Sequence, residues 1–348
     1  MAYTIINNGS LFMNSTLYTG NSTATAHTVG FQPDFTWLKV RNASGAHYLF
    51  DSVRLATNYI QSNSNVVQGT DAQTLKSFDA NGYTVGTSNS VNTNGETMVG
   101  WNWKAGTAVS GNTGGSGTAK TYTGSVNATA GFSIIKYTGN GTLGHTIPHH
   151  LGVAPSMMII KITAGDTSDW YVYHKDLGNT GILFLSNTNA VSNSNAYWNS
   201  TTPTSSVFTV GDQTGNNSNN NPFIAYCFAE KQGYSKFGSY TGNGNADGTF
   251  VYTGFKPAFV MIKRTDTGDN WLIKDIKRDP INQMEKRIFP NLSNAEDTGS
   301  GGNYDFLSNG FKLRESDAIG NASGGTYIYM AFAEAPLVGT NNVPCTAR

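Results

Sequence analysis

Clustered histidines, a cysteine on an apolar strand, recurring carboxylates and a Tyr-Trp pair are the side chains through which this sequence could do chemistry. Three imidazoles, His145, His149 and His150, share the stretch "HTIPHH", and imidazole is a common transition-metal ligand. Pro148 argues against a helix that would align positions four apart. Related stretches of the chain offer only His27 or no histidine, so the segment reads as a polar loop and no metal site is assigned. Cys227 lies in "PFIAYCFAE", where matching stretches place Asn102 and Ala331; the position wants a small residue, and a packed thiol is the expectation.

A glycosidase needs two carboxyl groups flanking a cleft, one of raised pKa. Glu230 and Glu334 are instead equivalent strand ends in separate parts of the chain. Asp166, Asp169, Asp266 and Asp269 occupy "GDTSDW" and "DTGDNW", where Asp commonly bonds its own backbone, and the dense alternation of a calcium loop is absent. There is no Gly-x-Ser-x-Gly elbow, His-Glu-x-x-His pair or phosphate loop. No catalytic residue, cofactor or metal is therefore expected. Recognition by aromatic rings fits better, because a ring face can stack on a sugar or an apolar partner. Tyr197 and Trp198, in "SNSNAYWNSTTPTS", lie outside the strands that align across the chain and are the candidate ligand-binding residues.

The elements that would hold such a site are repeated. Tyr-Thr-Gly-Asn begins at Tyr18, Tyr137 and Tyr240; a Gly-x-x-Pro follows at Gly30, Gly152 and Gly254; six residues past each proline stands Lys39, Lys161 or Lys263. A constant offset means one rigid element, and "FTWLKV", "SMMIIK" and "AFVMIKR" read as buried strands. An aromatic returns at Tyr48, Trp170 and Trp271 to open a second strand. The repeats close on "ETMVGWNWK", "PFIAYCFAE" and "TYIYMAFAE", with Trp103, Phe228 and Phe332 in register. Alternation puts Val99, Trp101 and Trp103 on one face, matched by Ile224, Tyr226, Phe228 and by Ile328, Met330, Phe332. Both faces are largely apolar, so this is an inner strand. Asn81-Gly82 and Asn309-Gly310 signal hairpins.

The fold class is therefore all-β: three tandem β-sandwich repeats, jelly-roll-like. The expected boundaries are 1–105, 131–236 and 237–337, with a Gly/Ser/Thr-rich linker over 106–130 and a C-terminal extension over 338–348. Charged residues make up 13% of the chain against ~25% in ordinary domains, so Asn, Ser and Thr must solvate the surface. The formal net charge is zero, which removes the basic footprint that nucleic-acid binding needs; the most basic stretch, 274–287, is diluted by Asp275, Asp279 and Glu285. No apolar run is long enough to span a membrane, and the N-terminus lacks the pattern of a secretory signal.

From Gly131 to Glu334 the motifs "GFSI", "YTGNG", "STTPTSSVFTVG", "AYCFAE", "GYSKFGSYTGNG", "DFLSNGFKLR" and "YIYMAFAE" follow one another. In these the chain resembles a family of repeat-bearing proteins encoded by tailed phages. The resemblance is strong over about two-thirds of the chain and looser in the first repeat. It implies a non-enzymatic virion structural protein: a tail fibre, tail appendage or capsid decoration, assembled in the host cytoplasm and released by lysis. Its implied partners are further copies of itself, other virion proteins and host-surface glycan. The alternatives are a carbohydrate-binding adhesin and a polysaccharide depolymerase. No coiled-coil trimeriser precedes the repeats, which leaves the position on the particle open.

Overall fold

Short apolar runs, cut every few residues by Gly, Asn and Pro, favour strands joined by tight turns. The computed structural model describes residues 3–299 and 301–338, and it is all-β apart from single helical turns. The first repeat forms β1 (Met13–Thr19), β2 (Thr25–Thr28), β3 (Phe35–Val40), β4 (Tyr48–Asp51), β5 (Asn58–Tyr59), β6 (Gly69–Thr70), β7 (Leu75–Asp79), β8 (Gly82–Val85) and β9 (Thr97–Trp103). Then come β10 (Thr107–Asn112), β11 (Gly114–Gly115) and β12 (Thr121–Asn127). The second repeat holds β13 (Phe132–Thr138), β14 (His145–Pro148), β15 (Met157–Ile162), β16 (Tyr171–His174), β17 (Gly181–Phe184), β18 (Ser192–Asn193), β19 (Val207–Val210) and β20 (Pro222–Phe228). The third holds β21 (Ser235–Thr241), β22 (Phe250–Tyr252), β23 (Phe255–Arg264), β24 (Trp271–Asp275), β25 (Tyr304–Leu307), β26 (Gly310–Leu313) and β27 (Thr326–Pro336).

One antiparallel order recurs: β1-β9-β3-β4, β13-β20-β15-β16 and β21-β27-β23-β24. Smaller sheets, β2-β8-β7, β11-β14-β19 and β22-β26-β25, accompany them. Registers agree as well, since Lys39, Lys161 and Lys263 stand opposite Val99, Ile224 and Ile328. Both Asn-Gly sites form hairpins, β7–β8 and β25–β26. Their glycines are needed for close approach: a Cβ at Gly82 would lie 1.9 Å from the His27 carbonyl oxygen, and one at Gly310 would lie 2.1 Å from that of Val251.

The two apolar faces of β9, β20 and β27 serve different cores. Met98 packs with Leu38, Phe50, Tyr83 and Val85 inside the first repeat, and comparable clusters fill the other two. The opposite faces all enter a single core that draws on every repeat. At its centre Trp103, Phe228 and Phe332 form a triangle, with ring centroids 6.3 Å (Trp103–Phe228), 5.8 Å (Trp103–Phe332) and 6.0 Å (Phe228–Phe332) apart. Edge-to-face contacts of this kind add to the burial of large apolar area.

Two expectations need correction. The stretch 106–130 is no free linker: β12 pairs with β13, β10 pairs with β12, and β11 pairs with β14. Its Gly/Ser/Thr composition cannot build a core, but the open edges of the second repeat supply backbone partners. Tyr122 and Val126 pack into that repeat's core. The aromatic register also slips by one in the first repeat. Leu38 stands opposite Tyr48, so the counterpart of Trp170 and Trp271 is His47: it follows Lys39 by the same interval as Trp271 follows Lys263, and the turn of the second repeat is the one that is longer by a residue. Of the extension 338–348 only Val338 is among the described residues; Cys345 lies outside them.

Candidate functional site

The histidines of "HTIPHH" diverge. His145 sits on β14, where its Nδ1 meets Asn217 Oδ1 at 2.9 Å and its Nε2 meets Thr113 Oγ1 at 2.6 Å. Asn217 Oδ1 already accepts the Asn140 N–H, so Nδ1 carries the proton and Nε2 accepts from the threonine. His149 Nε2 donates to the Thr204 carbonyl, and His150 meets the Tyr122 hydroxyl at 2.8 Å. His145 and His149 are fully buried, which corrects the polar-loop reading, and burial holds the pKa of each below its usual value. Among the described residues no group of three His, Cys, Asp or Glu side chains could hold a metal.

Cys227 is buried in the apolar cluster of the second repeat, and burial pushes its thiol up to about 12, away from the thiolate that a nucleophile requires. Burial would raise Glu230, but its bonds to Lys175 and Lys236 override that and hold it below the usual range. Glu334 pairs with Lys256. Asp169 accepts from Ser186 Oγ, and Asp266 from Arg264. Each of these carboxylates has a fixed structural partner.

Tyr197 and Trp198 end a helical turn, Asn195–Trp198, capped by the Ser194 hydroxyl on the Ala196 N–H. Trp198 is 1% exposed, its indole N–H bonded to the Gly181 carbonyl and its ring edge-on to Tyr173. It closes the core of the second repeat. Tyr197 is half-buried, edge-on to Tyr171. Trp198 thus turns its ring away from solvent, while Tyr197 stays partly exposed.

The strongest electrostatic arrangement lies at the junctions between repeats, and sequence reasoning missed it. Asp51 ends β4; its Oδ2 takes Arg54 Nε at 2.5 Å and the Tyr226 hydroxyl of the second repeat at 2.7 Å. Asp275 ends β24 in the same register; its Oδ2 takes Arg278 Nε at 2.5 Å and the Trp101 indole N–H of the first repeat at 3.0 Å. Arg278 continues to Glu296, which also binds Arg41. The third counterpart is His174, opposite Met157 as Asp51 is opposite Phe35. Its Nδ1 accepts the Asp176 N–H, so Nε2 donates to the Tyr329 carbonyl of the third repeat. The available signal was the spacing Asp-x-x-Arg at 51–54 and 275–278, answered by His-x-x-Leu at 174–177.

Other bonds between repeats run in a cycle around the molecule. Trp170 Nε1 donates to the Gln61 carbonyl, Trp271 Nε1 to that of Phe184, and His47 Nε2 to that of Phe289. Second therefore binds first, third binds second and first binds third. Three backbone bonds repeat that cycle: Ser168 N to Asn65 O, Asp269 N to Thr188 O, and Gly45 N to Ser293 O. Burial lowers Lys39, Lys161 and Lys263 to about 8 each. Their ammonium groups bond backbone carbonyls, Val40 for Lys39, Asn65 for Lys161 and Arg264 for Lys263.

The chain belongs to a family described as a domain of unknown function, DUF7483, matched over residues 8–336. The match embraces the whole cycle of junctions, from β1 to the end of β27. No curated protein and no solved structure matches the chain.

Proposed function

We propose that the chain is three tandem β-sandwiches closed into a ring of internal three-fold pseudosymmetry, and that it serves as a non-enzymatic structural protein of a phage particle. The observation that carries this is the Trp103–Phe228–Phe332 triangle, which makes one core out of three repeats. The strand path supports a jelly-roll-like unit: β1 lies in the large sheet, β2 in the small, β3 and β4 in the large, β7 and β8 in the small, and β9 in the large. The setting comes from the sequence motifs. A polypeptide whose buried polar groups are spent on cohesion suits a tail fibre, tail appendage or capsid decoration.

Such a protein binds other virion proteins and copies of itself, and carries no cofactor. A depolymerase is disfavoured because Glu230, Glu334, Asp169 and Asp266 are each held by a partner within the fold. The second reading is a glycan-binding adhesin, for which the surface of the third repeat gives a specific reason below.

Gold-labelled antibody raised against the purified chain, applied to particles from a lysate of the producing cells, tests the structural role. Label at a fixed position on assembled particles is expected. Label confined to the soluble fraction would sink the proposal.

A further inference from the structure

The third repeat carries two exposed rings that its sister repeats lack. Phe250 and Tyr252 are 43% and 53% exposed while Val251 between them is buried. Both rings therefore leave β22 on its outer face, about 7 Å apart along the strand. Register identifies the counterparts. Val251, His27 and Ile147 stand opposite Phe311, Tyr83 and Phe208. Phe250 and Tyr252 thus replace Ala26 and Thr28 of the first repeat and Thr146 and Pro148 of the second. The fold forms twice without these rings, so stability does not explain them.

Polar groups line the patch on the Phe250 side, while Tyr252 stands opposite Gly310. Lys312 is the cross-strand partner of Phe250, and its Nζ lies 2.5 Å from Asp247 Oδ1. Beyond it in the row is Asp305, paired with Arg314 at 3.2 Å. Arg314 also lines a shallow cleft of about 320 Å³ beside the patch, whose other walls are Ala246, Gly301, Glu315, Ser316 and Asp317. Among the described residues the strand β22 has a neighbour on one side only, so the rings can be approached from the open edge.

We propose that this surface is a carbohydrate-binding site, in which Phe250 and Tyr252 stack on the C–H faces of sugar rings while Lys312, Asp247, Arg314 and Asp305 bond their hydroxyls. Ring faces and hydrogen-bonding groups of both signs within one patch match a ligand that alternates C–H faces with hydroxyls. An apolar protein partner would have to strip water from two ion pairs without replacing it. A sugar leaves them hydrogen-bonded. The site deepens the attachment half of the proposed function, and it can fail without touching the structural half, which is read from particle labelling.

The test is affinity electrophoresis of the full chain through native gels containing dextran, mannan, laminarin or purified bacterial lipopolysaccharide, beside Phe250→Ala/Tyr252→Ala. The native chain is expected to be retarded in at least one gel. The double variant should lose about tenfold in affinity or more, which is roughly 1.4 kcal/mol, at unchanged melting temperature. If the double variant melts early, Tyr252→Ala alone is read in its place. Free migration in every gel, or equal retardation of both proteins, overturns the site. So does a variant that dissociates a native oligomer in sedimentation while retardation persists, because the rings then belong to a protein contact.

Discussion

At the junction of third and first repeats, Asp275 joins Arg278, Trp101 and, through Arg278, the Glu296–Arg41 pair. At the equivalent junction of second and third repeats, one neutral His174 bonds one backbone carbonyl. The first of these joints brings together the first and third repeats, which are not consecutive in sequence, so it is held by non-covalent contacts. The second is bridged by the peptide from Ala229 to Tyr234, which folds back on itself through the Tyr234 and Ser235 N–H groups on the Lys231 carbonyl. A buried ion pair adds little net stability but penalises wrong partners and registers. The Asp51–Arg54 pair occupies the matching place at the first–second junction, which the peptide also connects, so what sets the closing joint apart is the added Glu296–Arg41 pair.

The largest expected effect comes from breaking the closing joint. Asp275→Ala leaves Arg278 buried without its nearest carboxylate and Trp101 without an acceptor. It should cost about 3–5 kcal/mol, seen as a lowered midpoint in urea unfolding; a shift below 1 kcal/mol would remove the joint from the account. Next, Tyr226→Phe deletes the hydroxyl that crosses to Asp51 and should cost about 1–3 kcal/mol. Trp101→Phe at the other joint should fall in the same range, and a large inequality would show that the two pairs are not equivalent.

The His174 joint should answer to acid. Burial lowers its pKa to about 4, below an unfolded value of ~6.5. The unfolded chain then binds the proton first. Stability from this group is complete above pH ~6.5 and lost as pH falls toward 4, by about 1.4 kcal/mol per pH unit. His174→Gln, which keeps a donor for Tyr329, should flatten the fall in melting temperature between pH 6.5 and 4.5 by one proton's worth. His27, also lowered to about 4 by burial, supplies a similar slope that this variant leaves in place. The smallest effect is expected on the exposed strand, where Phe250→Ala/Tyr252→Ala should change unfolding free energy by no more than ~0.5 kcal/mol.

The strand positions were legible because backbone demands are local: alternation, Asn-Gly hairpins and the fixed Pro-to-Lys offset each act within a few residues. The slip from Tyr48 to His47 shows the limit of that reading, since a one-residue change in a turn is invisible until strands pair. The segment 106–130 failed for a related reason. Its composition reports that it has no core of its own, but not that β13 and β14 offer it edges.

Trp198 marks the boundary at the site. The sequence places a Tyr-Trp pair in a loop rich in Asn and Ser, and that much holds; only packing decides that the indole turns inward to the Gly181 carbonyl. The sequence by itself determined that the chain is all-β, that its elements recur three times, and that the faces of β9, β20 and β27 are both apolar. It could not say that three of those faces meet in one core, because that requires contacts between residues more than a hundred positions apart, which no local pattern encodes. The tertiary structure alone decided which aspartates became buried joints and which rings stayed in water, since burial is a property of neighbours brought together by the closed fold.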